Sequence, residues 1–215
     1  GHSCVSIGKL HFRSTRDDNG FTEEILPMHV AGGVGWTIGL LRKELPNYDG
    51  AAELSADVGE GASSYTDYDR AITKAAINWI EEAGRKQKNE EQDKGWTAFV
   101  SLVSPHYPLT CPPEFNQHYR PDDMALPISY GKGPPTHPEL ARSAAFFDYN
   151  RHFDEQAMRA AKCAYFGLTS FMDDCVGKIL GALERSEQAE DTIICYISDH
   201  GELLGDHGLW TKQVM

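Results

Sequence analysis

Long apolar runs are missing from this sequence of 215 residues. No stretch of about 18 consecutive apolar residues occurs, and no basic segment leads into a shorter apolar one. The first absence excludes a membrane-spanning helix within these residues, and the second excludes an export signal within them. We therefore predict no membrane partner, while a signal encoded upstream stays open.

Positive charge is also scarce. Lysine and arginine together number 20, against 32 aspartates and glutamates, which gives a formal net charge of -12. This balance opposes binding to phosphate backbones, so we predict no nucleic-acid partner. An anionic substrate would need local positive charge from a metal ion or from a few lysines.

Closely spaced cysteines are absent as well. The five cysteines are an odd number, and none belongs to a Cys-x-x-Cys or zinc-like pattern. Three of them, Cys163, Cys175 and Cys195, fall in apolar helical or strand patterns, where a buried reduced thiol is the usual explanation. These features favour a reducing compartment, and we predict a cytoplasmic location.

The composition that is present, 40% hydrophobic and 24% charged, is typical of a globular domain. We interpret residues 1–215 as one domain or one large part of a domain. The sequence leaves self-association into a homo-oligomer open. The chain has no initial methionine and stops shortly after a conspicuous motif. We therefore expect a fragment of a longer protein.

Strand-like and helical patterns alternate along the chain. Strands are predicted at residues 4–7, 96–103 and 192–197, and helices at residues 67–85 and 157–186. A capping box, Thr66-x-x-Asp69, marks the start of the first helix. Apolar strands separated by helices are typical of a parallel sheet covered on both faces, with residues 96–103 as a central strand. We therefore predict an α/β fold with three layers, α/β/α, and a mostly parallel sheet.

Two long connections interrupt this pattern. Residues 13–64 are broken by glycines and prolines and indicate an irregular excursion with a short helix at residues 38–44. Residues 104–152 form a proline-rich loop, since nine of the eleven prolines lie between Pro105 and Pro138. A loop of this length inside a compact domain is usually functional or a lid.

Each predicted strand is followed by residues whose side chains could bind a ligand or take part in catalysis. Lys9 and His11 follow the first strand, His106 follows the second, and Asp199 and His200 follow the third. Parallel strands bring these ends to one edge of the sheet, where α/β folds bind ligands. A hard carboxylate beside an imidazole suggests a metal site. Taken singly, each residue could also have no role in a site. Lys9 could be a surface lysine, the histidines could be loop residues, and Asp199 could cap a turn.

Four segments resemble the sulfatases of the alkaline phosphatase superfamily. Residues 198–212, SDHGELLGDHGLWTK, resemble the segment that carries the second half of the family's metal site. Residues 1–12, GHSCVSIGKLHF, resemble its strand ending in Gly-Lys-x-His, and residues 100–108, VSLVSPHYP, resemble its strand before a substrate-contacting histidine. Residues 165–174, YFGLTSFMDD, match a family helix. The resemblance, to arylsulfatases and choline sulfatases, covers most of the chain. It implies that residues 1–215 are part of a sulfatase catalytic domain.

The resemblance implies a role for each of the six residues. Asp199 and His200 match positions that bind one divalent cation, calcium or, as the second choice, manganese. Lys9 and Lys212 match lysines that contact the sulfate oxygens. His11 and His106 match histidines that position the nucleophile and the ester, and His106 matches the acid that protonates the leaving oxygen. Asp206 and His207, in contrast, are interpreted as bracing their loop.

These residue types suit the hydrolysis of a small anionic sulfate ester. Charge builds on the equatorial and leaving oxygens of the ester during the reaction. A cation and lysines neutralise the former, and an imidazole supplies a proton to the latter. We therefore predict a sulfuric ester hydrolase, with a phosphonate or phosphate mono- or diester hydrolase as the first alternative.

Two family features do not occur in the sequence. Family members carry a Cys/Ser-x-Pro-x-Arg motif whose first residue is oxidised to formylglycine, the nucleophile. Cys111 precedes Pro-Pro-Glu without the arginine. The paired aspartates that lie near the family's amino terminus and complete its metal site are also absent. We expect both to be encoded upstream, and expect the 215 residues alone to be inactive. A non-catalytic binding module that has lost the nucleophile is the second alternative.

Overall fold

A computed structural model describes residues 2–35, 48–89 and 95–212. The short helix predicted at residues 38–44 lies outside these ranges. The chain divides into two compact units. The first unit comprises Gly1–Thr37, Ser64–Ser104 and Met172–Ile194, and the second comprises Ile38–Ser63, Pro105–Phe171 and Cys195–Met215.

Strands and helices follow one another along the described ranges. The strands are β1 (Ser3–Lys9), β2 (Glu23–Met28), β3 (Gly59–Glu60), β4 (Trp96–Ser101) and β5 (Thr110–Cys111). The helices are α1 (Gly50–Ala56), α2 (Ser64–Lys88), α3 (Pro113–Asn116), α4 (Pro138–Phe147) and α5 (Glu155–Arg185). None of the helices in these ranges is both long and apolar enough to cross a membrane.

A parallel sheet with the strand order β2-β1-β4 forms the centre of the first unit. Ser6 of β1 pairs with Glu24 on one side and Phe99 on the other. The predicted α/β class with parallel strands is therefore confirmed. The second unit contains a short parallel pair, β3 and β5.

Two expectations about this sheet are wrong. Residues 13–64 are not wholly irregular, because they contribute β2; its acidic residues and Pro27 mask it in the sequence, and both suit an edge strand. Among the described strands β4 pairs only with β1, so β4 is an edge and β1 is the central strand. The side chain of Phe99 in β4 is 41% exposed.

Helix α2 covers one face of the sheet. Val5 and Ile7 of β1 are fully buried against Ile72 and Ala76 of α2. These apolar residues recur at helical spacing, which is why this helix was predictable. The helix begins at Ser64, so Thr66 lies inside it and the predicted capping box is wrong.

Close packing at Gly8 gives a first prediction. Gly8 has φ 106°, and a Cβ atom there would clash with the carbonyl oxygen of Ser101 and lie 2.8 Å from Cδ1 of Ile72. We expect Gly8→Ala to lower the free energy of unfolding by about 2 to 5 kcal/mol, since it combines backbone strain with overpacking. Urea unfolding of the full-length protein measures this.

Gly20→Ala is the matched control for this substitution. Gly20 has φ 83°, but no atom lies within 4 Å of its hypothetical Cβ. The control should lose only the strain cost, about 1 to 2 kcal/mol. Equal losses for the two variants would contradict the close approach of β1 to β4 and α2.

The second unit is built around an aromatic core. Tyr149, Phe153 and Trp210 are buried, and the ring of Phe153 stacks on that of Trp210 at 4.4 Å and 16°. Leu168 of α5 and Leu209 belong to the same cluster. The helix predicted at residues 157–186 is confirmed as α5, and its amino-terminal half packs here.

The proline-rich segment is folded and anchored. It contains β5, α3 and α4, and two side chains of α5 hold its middle. The guanidinium group of Arg159 donates to the carbonyl of Met124, and Nζ of Lys162 donates to the carbonyl of Ala125 at 2.8 Å. These contacts fix the segment that leads to Ile128.

Residues 192–197 do not form the predicted buried strand. No described strand pairs with them, and their large side chains are exposed: Ile193 97%, Ile194 55%, Tyr196 67% and Ile197 73%. β-branched and aromatic residues favour a strand only where a neighbouring strand is available to pair with it. The prediction is therefore wrong for the described structure.

Candidate functional site

Asp199 and His200 lie together in the second unit, directly after residues 192–197. Nδ1 of His200 is 2.8 Å from the carbonyl oxygen of Gly201, so this nitrogen carries the proton and donates. The other ring nitrogen, Nε2, is 3.4 Å from Oδ2 of Asp199. A metal-ligating histidine is typically oriented in this way by a backbone carbonyl.

The alternative role of Asp199, capping a turn, is also visible. Its Oδ1 accepts a hydrogen bond from the backbone N–H of His200 at 2.9 Å, and Oγ of Ser198 donates to the carbonyl of His200 at 2.8 Å. The Asp199 side chain is 77% exposed. One carboxylate oxygen therefore shapes the turn while the other faces the imidazole.

The pair fits a divalent cation as part of its ligand set. A separation of 3.4 Å between Nε2 and Oδ2 suits neighbouring positions around one ion, given metal-oxygen distances of about 2.3 to 2.6 Å. Within residues 2–35, 48–89 and 95–212, no group of three or more His, Cys, Asp or Glu side chains is placed to hold a metal. Metal binding by this pair therefore stays a prediction, and in these ranges the pair alone does not complete a metal site.

Glu202 links this pair to the stretch that carries Lys212. Its Oε1 accepts hydrogen bonds from the backbone N–H of Thr211 and, at 3.4 Å, from that of Leu204. Burial raises the pKa of the Glu202 carboxyl group, while these N–H groups and His200 oppose the rise. Sequence reasoning missed this residue, because a carboxylate two positions after His200 is equally typical of an exposed loop.

The tight turn Asp206–Gly208 is tied to the proline-rich segment. Oδ1 of Asp206 accepts the backbone N–H of Ile128 at 2.7 Å, and the N–H of His207 donates to Oγ of Ser129 at 2.5 Å. These contacts agree with the interpretation that Asp206 and His207 brace their loop. They also place residues 128–129 beside the loop that carries Lys212.

Lys9 and His11 belong to the first unit. Lys9 is the last residue of β1 and is half-buried, and His11 is exposed two residues later. The remaining four predicted site residues belong to the second unit. Their common participation in one site stays a prediction.

His106 follows β4 and is half-buried. Its Nδ1 is 2.7 Å from the carbonyl oxygen of Tyr107, and its ring stacks on the Tyr107 ring at 4.3 Å. A hydrogen bond from Nδ1 to a carbonyl fixes the ring and its tautomer. The geometry therefore suits both a positioned acid-base group and a loop histidine bonded to backbone.

Cys111 has the wrong environment for a nucleophile. The residue is fully buried in β5, and burial raises the pKa of its thiol to about 12. The thiolate form is therefore rare near neutral pH. This agrees with the absence of an arginine after Cys-Pro-Pro-Glu.

Comparison with solved structures shows that the chain shares its fold with an enzyme of known structure. The phosphonate monoester hydrolase of Agrobacterium radiobacter superposes with a TM-score of 0.60 at 18% identity, over 98% of this chain and 47% of that chain. At this identity the likeness concerns the fold alone.

The family follows from the sequence. The Sulfatase family model matches residues 14–214, and the chain belongs to the sulfatase family. The choline-sulfatase of Rhizobium meliloti is 28% identical over 231 residues, covering 99% of this chain and 42% of the relative. Human iduronate 2-sulfatase is 30% identical over 170 residues, covering 73% of this chain and 29% of the relative. The chain thus spans less than half the length of these relatives.

Proposed function

We propose that the protein hydrolyses sulfate esters with the help of one divalent metal ion. The observation that carries this proposal is the arrangement of His200, whose Nδ1 is bonded to the Gly201 carbonyl while Nε2 faces Oδ2 of Asp199. Membership of the sulfatase family supports the choice of sulfate over other anions.

Asp199 and His200 would hold the metal. The ion would supply positive charge that stabilises the negative charge developing on the sulfate oxygens. A carboxylate suits calcium or manganese, while an imidazole nitrogen is more usual for manganese and other transition metals. Metal analysis of the purified full-length protein distinguishes calcium from manganese.

The lysines and histidines act on the ester itself in this proposal. Lys9 and Lys212 donate hydrogen bonds to sulfate oxygens and balance their charge. His106 donates a proton to the leaving oxygen as the sulfur-oxygen bond breaks, and His11 orients the attacking group. That attacking group is the formylglycine implied by the family, and no Cys/Ser-x-Pro-x-Arg motif for it occurs in these 215 residues.

A substrate panel tests the proposed function. We expect the full-length protein to release sulfate from 4-nitrophenyl sulfate or choline sulfate with kcat/KM at least about ten-fold above that for a phenyl phosphonate ester, a preference of about 1.4 kcal/mol. Choline sulfate is included because the Rhizobium meliloti relative is a choline-sulfatase. A chelator should abolish the activity, and the preferred metal should restore it.

The same panel separates the alternatives. A larger kcat/KM for phosphonate esters would favour a phosphonate hydrolase, a function that the fold likeness to such an enzyme also suits. Binding of sulfate esters without turnover, together with mass spectra that lack formylglycine, would instead identify a binding module. Either result would overturn the sulfatase proposal.

A further inference from the structure

Asp69 is a fully buried carboxylate that holds the end of a neighbouring strand. It lies on α2, and its Oδ1 accepts the backbone N–H of Val103 at 2.7 Å while Oδ2 accepts that of Ser104 at 2.8 Å. Val103 and Ser104 follow the last residue of β4. Both carboxylate oxygens are therefore used to fix the chain two residues before His106.

The charge of Lys9 also influences this carboxylate. Burial raises the pKa of Asp69, and the side chain of Ser104, the two backbone N–H groups and the charge of Lys9 oppose the rise. Lys9 ends β1 directly after Gly8, where β1 approaches β4 and Ile72 of α2 too closely for a side chain. Asp69 and Ile72 are three residues apart and share one face of α2. The close approach at Gly8 thus packs the end of β1, directly before Lys9, against the face of α2 that carries Asp69.

The other side chains that interact with Asp69 and are described next carry no positive charge. Oγ1 of Thr73 donates to the backbone carbonyl of Asp69 at 2.7 Å. The thiol of Cys175 and the phenol of Tyr68 lie close enough to interact with its charge. Of the groups named here, Lys9 is the one whose charge is opposite to that of the carboxylate.

We propose that Asp69 is a positioning residue that holds two strand ends together, one carrying Lys9 and the other leading to His106. This inference rests on the proposed function, because it assigns Asp69 to the same hydrolytic site. A buried carboxylate with two short charge-assisted hydrogen bonds makes a rigid support. A negative charge held in a fixed place near Lys9 would favour some directions of its ammonium group over others.

A double-mutant cycle on the full-length protein tests the proposal. Asp69→Asn keeps the side-chain volume but removes the charge and one acceptor. We expect it to lower kcat/KM for 4-nitrophenyl sulfate by about ten-fold, mainly through kcat, because misplaced groups act chiefly in the transition state. In a Lys9→Met background the same change should cost less than about three-fold, because the two residues act as a unit. Asp67→Asn, an exposed neighbour on α2, is the control and should leave kcat/KM unchanged.

Amide hydrogen exchange of the wild-type protein is a second measurement that needs no variant to fold. The N–H groups of Val103 and Ser104 should exchange as slowly as those inside β4, although they lie beyond its end. Fast exchange at both positions would overturn the proposal. Additive effects of Asp69→Asn and Lys9→Met in an active enzyme would also overturn it and leave the sulfatase function intact. A wild-type protein without sulfate-ester hydrolysis would remove both proposals together.

Discussion

We expect replacement of His200 by alanine to lower kcat for the proposed sulfate-ester hydrolysis by about 10²- to 10³-fold and to release the proposed metal ion. The magnitude is that of removing one electrostatic contact to the transition state. The imidazole is oriented by the Gly201 carbonyl, and its Nε2 faces Asp199. Loss of this donor leaves Asp199 as the only metal ligand proposed for this loop, so metal affinity falls with activity.

Steady-state kinetics and metal analysis of the full-length variant check this expectation. His152→Ala is the matched control, since His152 is an exposed histidine of the same unit that has no assigned role in the site. It should retain both metal and activity. A His200→Ala variant with wild-type metal content and more than about one tenth of the wild-type kcat would contradict the metal assignment.

Replacing Trp210 by alanine lowers the free energy of unfolding by about 3 to 5 kcal/mol. Trp210 is 1% exposed, and its ring stacks on Phe153 within the core of the second unit. The substitution removes a large buried ring and leaves a cavity. Because Lys212 follows two residues later, the variant should also bind sulfate esters more weakly.

Urea unfolding measures the stability loss, and KM reports the effect on Lys212. Tyr130→Ala is the matched control, because Tyr130 is 45% exposed and its removal should cost less than about 1 kcal/mol. Similar losses for the two variants would show that Trp210 is not part of a packed core.

Regular patterns made much of the fold predictable. Strand β1, strand β4 and helix α5 follow apolar runs or helical stripes, and their existence was predicted correctly. Strand β2 was missed because its acidic residues and Pro27 are unusual in a strand, and only its position at the sheet edge permits them. Residues 192–197 show the opposite error, since their β-branched residues predict a strand that has no partner in the described structure.

The candidate site divides in a similar way. The predicted site residues, among them Lys9, His106 and Asp199, were identified because their residue types follow predicted strands. Asp69 and Glu202 were missed as supports because their partners are distant in sequence. Asp69 meets Ser104, 35 residues away, and Glu202 meets Thr211, nine residues away. Such side-chain to backbone contacts leave no periodic signal, so only the folded chain reveals them.

Anomalous diffraction from crystals of the full-length protein, grown with its native metal, tests the metal assignment most directly. We predict one anomalous peak within about 2.0 to 2.6 Å of both Nε2 of His200 and a carboxylate oxygen of Asp199. A peak bound to other residues, in a protein that hydrolyses sulfate esters, would contradict the assignment of this loop as part of the metal site.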